Sequence, residues 1–502
     1  MISAFTNTFK VPELRNRVIF TLLMLVIVRV GCAITCPGVN VAVLQYWFAH
    51  ESSKGGNGIA ALFNLFSGGA LENCAVFSLG VMPYISASIM MQLLSGVVPQ
   101  LNKLQKEDGG RQKIMQYTRY ATIALCIFQG ALLAKSFEFP SKNPFLQGID
   151  SAIAHLGINL VQNPGLPFEV LTVLTLTAGT LFLMWVGDQI TDRGIGNGMS
   201  MIITVGIVAR LPAALVQAWK TFVPSGEQGA NQTVNPMVLV LMIAFLVFVI
   251  AAVICVTQAQ RKVLVQYAKR MVGGGKVQGG GTQYMPLKVN YPGVMPIIFG
   301  QALLVFPASI AQMIRQPWAQ KIAGMISPSN TLYYVLYGLM IFFFSYFWVA
   351  ITFQPAQIAD DLKKYGGYIP GVRPGKPTAD FLDFTMTRLT FAGAVFLTFI
   401  AILPQLLAHQ LGVPYLTASF FGGTSLLILV GVMLDTMRQV ETHLIQRHYD
   451  GFLRKGRLRG GFDRTPAGRG EAVQQGVLVW ACVGAAVLLV VGLSLFIATH
   501  LR

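Results

Sequence analysis

Apolar segments of membrane-spanning length recur along this chain, near residues 18–36, 75–95, 118–136, 170–187, 200–219, 236–257, 292–313, 332–353, 385–408, 419–436 and 476–499. A helix needs roughly 20 apolar residues to cross the hydrocarbon core. Only 11% of the residues are charged, where a soluble protein carries about 25%. The expected fold class is an all-α polytopic membrane protein. The ten spans up to 436 divide into two sets of five, which forces the halves into opposite orientations and permits an inverted repeat with a central site between them. No internal sequence repeat is visible.

The net charge is +17. With the N-terminus in the cytoplasm, the inner segments hold 28 of the 37 Lys and Arg residues and the outer segments eight, with Arg210 counted among the outer ones. That asymmetry predicts a cytoplasmic N-terminus. Arg29 is left inside the first span, where it is either a functional intramembrane charge or snorkels to the outer surface. Six cysteines fall in or beside spans and imply neither a disulfide framework nor a metal site.

Residues 57–95 are the least regular part of the pattern. A run from Ile59 to Phe66, bracketed by Gly58 and Gly68-Gly69, is too short to cross a bilayer and reads as about two turns of helix on hinges. The span after it is broken by Pro83. Tyr84, Ser88, Gln92 and Ser95 then form a polar stripe on one helix face. Two readings are open: a movable half-helix beside a hydrated cavity, or a re-entrant turn packed on its neighbours.

Two inner loops are long and basic. Residues 259–291 alternate in a strand-like way around Val263, Val265 and Tyr267, and GGGKVQGGG at 273–281 predicts the tip of a β-ribbon. Residues 355–384 carry GYIPGVRPGKPTADF, whose Pro and Gly residues present Arg373 on a stiff tip. Two such loops suggest a large anionic partner such as RNA. The glycines of DQITDRGIGNGMS lack the strand a dinucleotide loop requires, and Lys276 is not followed by Ser or Thr as in a phosphate loop. No metal, cofactor or catalytic residue is expected. Apolar side chains (Val81, Ile85, Ile297 and Ile298) flank the prolines at the breakpoints. A constriction of that kind seals by dewetting, which favours a gated passage over a solute transporter with charged midspan groups.

FNLFSGGAL at 63–71, MPYISASI at 82–89, DGGRQKIMQYTRY at 108–120, PLKVNYPGVMP at 286–296, DDLKKYGGYIPGVRPGKPT at 360–378 and FGGTSLLI at 421–428 closely resemble the SecY family. DQITDRGIGNGMS, QYAKR at 266–270 and MTRLT at 386–390 do so too. The resemblance implies a ten-helix channel in two inverted five-helix halves, 18–230 and 231–440, after a cytoplasmic segment 1–17. It implies a passive, gated conductor of unfolded polypeptides, no enzyme, in a bacterial plasma membrane. It puts a plug at Ile59, Ala60, Ala61, Leu62, Phe63, Asn64, Leu65, Phe66, Ser67, Gly68, Gly69 and Ala70. It puts a pore ring at Val81, Ile85, Ile203, Ile298 and Ile428, with Val at one position where Ile is usual. A lateral gate to lipid follows at Ser86, Ile89 and Gln92 on the second span against Asn290 and Phe306 on the seventh, with the Tyr84–Ser88–Gln92 stripe along its seam. Arg373, with Arg261, Lys262, Lys269 and Arg270, would dock the motor SecA and the ribosome. The implied partners are SecE, SecG, SecA, the ribosome, signal peptides and nascent chains.

The family pattern ends soon after the tenth span, yet here a basic linker at 441–475 leads to a further apolar stretch at 476–499. Its charge holds the linker inside, so an eleventh C-terminal transmembrane helix, peripheral to the pore, would carry Arg502 outside. A cysteine appended after Arg502 is expected to react with a membrane-impermeant thiol reagent in intact cells. Labelling only after the membrane is opened would show that 476–499 does not span.

Overall fold

The computed structural model describes residues 12–51, 60, 63–64, 66–107, 109–140, 146, 149–222, 236–267, 270–272, 276–278, 282–313, 321, 324–325, 330–411 and 423–454. The eleventh span and most of its linker lie outside these residues.

The helices are α1 (Pro12–Gly31), α2 (Val41–Glu51), α3 (Met82–Val97), α4 (Pro99–Lys106), α5 (Gly110–Glu138), α6 (Ile149–Leu156), α7 (Leu166–Arg193), α8 (Gly198–Phe222) and α9 (Pro236–Gln258). After a β-ribbon come α10 (Met295–Met313), α11 (Thr331–Thr352), α12 (Pro355–Lys364), α13 (Lys376–Leu411) and α14 (Thr424–Arg454). Among the described residues, five helical stretches are long and apolar enough to cross a membrane: Gln112–Glu138, Leu166–Arg193, Gly198–Trp219, Leu332–Lys364 and Lys376–Leu403. Every span expected up to residue 436 has a helix.

Several boundaries differ from the sequence reading. Pro83 does not break a helix; it sits in the first turn of α3, where its missing N–H has no intrahelical partner to lose. The expected span at 75–95 is therefore the short helix α3, preceded by turns over 71–81. Between α5 and α7 the chain forms α6, and α2 is a further short helix. They meet through Tyr46 and His155, stacked at 5.1 Å. α14 runs on to Arg454, past the expected end of the second half at 440. Arg210 lies midway along α8 rather than at an outer end, so Arg29 is not the only cation within a span.

The fold is helical but for one ribbon. β1 (Gln260–Tyr267) pairs antiparallel with β4 (Thr282–Lys288), Val263 opposite Met285, and β2 (Arg270–Val272) pairs with β3 (Lys276–Gln278) nearer the tip. β1 also pairs with β5 (Gly367–Tyr368), which belongs to the other basic loop. Val263, Val265, Leu287, Val349, Phe353, Ile369, Leu382 and Met386 close a small core of their own under this sheet.

The glycine-rich turn between α7 and α8 is a structural joint. Ile195 N–H donates to Thr21 Oγ1 at 3.1 Å, Gly196 N–H to Gln439 Oε1 at 2.8 Å and Gly198 N–H to Thr191 Oγ1 at 2.9 Å. Helices α1 and α14 thus occupy the amides that a phosphate would use. A Cβ on Gly198 would run into the backbone of Gly187. Gly198→Ala is expected to cost about 1–3 kcal/mol through that overlap, read as a lowered melting temperature of the detergent-solubilised protein.

Candidate functional site

The five expected ring residues come from four elements. Val81 is the N-cap of α3 and Ile85 lies in its first turn; Ile203 is on α8, Ile298 on α10 and Ile428 on α14. All five are buried, none more than 5% exposed, and all belong to one apolar cluster. That cluster also takes in Ala60, Phe63, Phe66 and Ala70 of the segment before them. The set is five branched apolar side chains, contributed by four helical elements, with no charged group among them.

Of the expected plug, the structure describes Ala60, Phe63, Asn64 and Phe66 as helical and 67–70 as turn; Ile59, Ala61, Leu62 and Leu65 lie outside the described residues. Gly68 and Gly69 have φ of +67° and +91°, and Gly68 rests backbone to backbone on Gly206 of α8. These are conformations and spacings that a side chain would spoil. Beside this segment is a cavity of about 10 Å³, lined by Arg29, Cys32, Phe66, Ser67, Val81 and Gly206 among others, about the volume that a single water needs.

The expected gate elements α3 and α10 pack against each other. Ile89 and Asn290 are buried, and Ser86 and Gln92 half-buried. Gln92 Nε2 donates to Ser88 Oγ at 3.2 Å, while Gln92 Oε1 and both polar atoms of the Asn290 amide have no hydrogen-bond partner among the described residues. An unpaired buried amide costs stability and accepts any partner offered. The Phe306 side chain lies outside the described residues. Tyr84, at the head of the polar stripe, is half-buried. The Arg119–Asp188 ion pair, 2.7 Å between α5 and α7, lies within electrostatic reach of it.

Arg261 and Lys262 are exposed on β1, and Arg373 is exposed on its turn. Thr378 Oγ1 donates to the Arg373 carbonyl at 2.7 Å, and Val372 N–H to Ile369 O at 3.0 Å, which stiffens that turn. Lys269 and the Arg270 side chain lie outside the described residues. Because β5 joins β1, the three exposed cations sit on one rigid platform. Sequence reasoning found both loops but missed that they share a sheet, since a two-residue strand leaves no periodic signal.

A sequence model of the SecY family matches residues 75–437. The chain is 43% identical over 450 residues to the protein translocase subunit SecY of Aquifex aeolicus, covering 89% of this chain and 98% of that one. It is 40% identical over 462 residues to that of Thermotoga maritima, 92% and 100% covered, and 41% identical over 465 residues to that of Mycobacterium tuberculosis, 90% and 100% covered. The chain belongs to the SecY family. Solved structures agree in fold. A protein-conducting channel superposes with a TM-score of 0.58 at 16% identity, over 88% of this chain and 94% of that one. A SecY structure, described for its plug domain's part in the closed state and the membrane seal, superposes at 0.57 and 18% over the same shares. Sec61 from the canine ribosome–channel complex gives 0.55 at 17%, again over 88% and 94%. This SecY-family chain is a multi-pass membrane protein, and its described helices form a channel-type fold.

Proposed function

We propose that this chain is the pore-forming subunit of a protein translocase, a passive gated channel for unfolded polypeptides with a lateral exit to lipid. The observation that carries the reading is that Val81, Ile85, Ile203, Ile298 and Ile428 are all buried in the apolar cluster that also holds Ala60, Phe63, Phe66 and Ala70, with Val81 and Phe66 lining one small cavity. A collar without fixed charge offers ions nothing to replace their hydration, yet its side chains yield to a passing peptide. The segment 60–70 is the plug, and the α3–α10 contact is the gate, where Asn290 and Gln92 keep unpaired polar capacity along a seam that must part. The chain makes and breaks no bonds in this reading; the work comes from partners. Those partners are SecE, SecG, the SecA motor, the ribosome and the signal peptides of nascent chains, in a bacterial plasma membrane with the N-terminus cytoplasmic.

Replacing three or more collar residues by Gly is expected to raise resting ion conductance in planar bilayers at least several-fold. Unchanged conductance in such a variant would remove the collar from the seal.

The platform of β1, β5 and the Arg373 turn is the docking surface for SecA and the ribosome. A guanidinium on a stiffened turn makes a planar two-point contact that an ammonium does not reproduce. Arg373→Lys is therefore expected to slow SecA-driven export about tenfold, and Lys376→Ala much less. Equal, mild losses from both would reduce the platform to plain positive potential.

A further inference from the structure

The segment read as the plug is tied down by charge as well as by packing. Arg29 of α1 donates from Nη1 to the Gly68 carbonyl at 3.0 Å. Arg210 of α8 is ion-paired through Nη2 to Glu72 Oε2. Glu72 is in turn joined to Asn64: its N–H donates to Asn64 Oδ1 at 3.1 Å, and Asn64 Nδ2 donates to Glu72 Oε2 at 3.3 Å. Asn64 is buried, and the Gly69 N–H donates to its carbonyl at 2.9 Å. Two cations on two helices therefore grip the two ends of one short loop, and both grips pass through groups that move only if the loop moves.

We propose that Arg29 and Arg210 are positioning residues for the closed plug, and that separating Glu72 from Arg210 is a step of opening. This rests on the plug reading above. The physical case is directional. Apolar contacts of Phe63 and Phe66 hold the segment against the collar in any nearby orientation, whereas charge-assisted hydrogen bonds hold it in one. Here the carboxylate is also preset by Asn64, so the bond to Arg210 forms only when the helical turn around Asn64 is in place. The pair is not sealed away: the Glu72 side chain keeps 31% of its surface exposed and Arg210 keeps 16%. Water can replace each partner when the loop departs, which makes the latch reversible. A fully buried pair would lose that exchange and hold the loop permanently. The Gly68–Gly206 contact has no such exchange; it only allows the loop to come close enough for Arg29 to reach it.

Cys32 reports the plug's position. It is buried, it lines the small cavity beneath the loop, and its Sγ lies 4.0 Å from the Ser67 carbonyl. The test is the rate at which N-ethylmaleimide modifies Cys32 in the full chain in membrane vesicles, followed by mass spectrometry of the Cys32 peptide. Glu72→Gln and Arg210→Gln are each expected to raise that rate tenfold or more, and the double variant no further than the faster single one, since one pair is broken in all three. Rates within twofold of the parent in both single variants would overturn the latch. If the single variants fail to accumulate, the exchange Glu72→Arg with Arg210→Glu decides: a rate near the parent's supports the pair, and a tenfold rise overturns it. Gly68→Val separates this idea from the plug reading. Its Cβ has no space against Gly206, so it displaces the loop whatever the latch does. Cys32 labelled quickly with resting conductance unchanged would mean that the segment does not seal, and the plug reading would fall. Cys32 labelled quickly with raised conductance, beside unaffected latch variants, would leave the plug standing and remove the latch alone.

Discussion

An irregular stretch of backbone buried among membrane helices must find a hydrogen-bond partner for each polar group, because lipid supplies none. Residues 67–81 meet that constraint locally. Ser67, Gly69 and Ala75 donate to the carbonyls of Phe63, Asn64 and Ala70, and Val76 donates to Ile34. Where no carbonyl is in reach, side chains stand in: Ser67 Oγ accepts from Leu71 N–H, and Asn64 Oδ1 from Glu72 N–H. Ser78 Oγ donates to the carbonyls of Ala70 and Ala75. With its polar groups met in this way, the loop lets α3 start at Met82 and buries Val81 and Ile85 in the apolar cluster that also holds Ile203, Ile298 and Ile428. The proposed collar depends on those hydrogen bonds.

The same loop bears on how the proposed plug could move. Among the described residues, many of its bonds are internal to 63–80. Those that leave it include Arg29 to Gly68, Arg210 to Glu72, Cys32 Sγ to the Ser67 carbonyl, the bridge between Thr35 and Ala75, and Gln45 Nε2 to Asn73 Oδ1 at 2.9 Å. In the proposed opening these contacts break while the internal turns travel with the loop, and the proposed collar yields by rotation of branched apolar groups.

At the other end of the helices the design is different in kind. The platform that carries Arg261, Lys262 and Arg373 has its own apolar core and a strand shared between the two loops. Nearby, Gln439 of α14 accepts from Gly196 N–H between α7 and α8, and Arg438 of the same helix donates to the Thr257 carbonyl of α9 at 3.0 Å. The platform's core is shared with the helices beneath it: Val349 of α11, Phe353 just after it, and Leu382 and Met386 of α13 are part of that core.

Much of this was written in residue type and period. Long apolar runs dictate helices in lipid, and the alternation around Val263 and Val265 dictates a strand. These are local rules: each expected span up to 436 contains a helix, though at 75–95 a shorter one than expected, and the ribbon is present. The glycines at 68 and 69 marked an irregular turn for the same reason: left-handed turns leave a compositional trace. Tertiary structure alone decided the rest. That Pro83 starts a helix instead of breaking one depends on where the chain before it is held. That Arg119 meets Asp188 between α5 and α7, that Arg210 meets Glu72 midway along α8, and that Gly367-Tyr368 completes the ribbon's sheet are contacts between residues far apart in the chain. No period or propensity encodes such pairings, because their energy exists only once separate helices have been packed together.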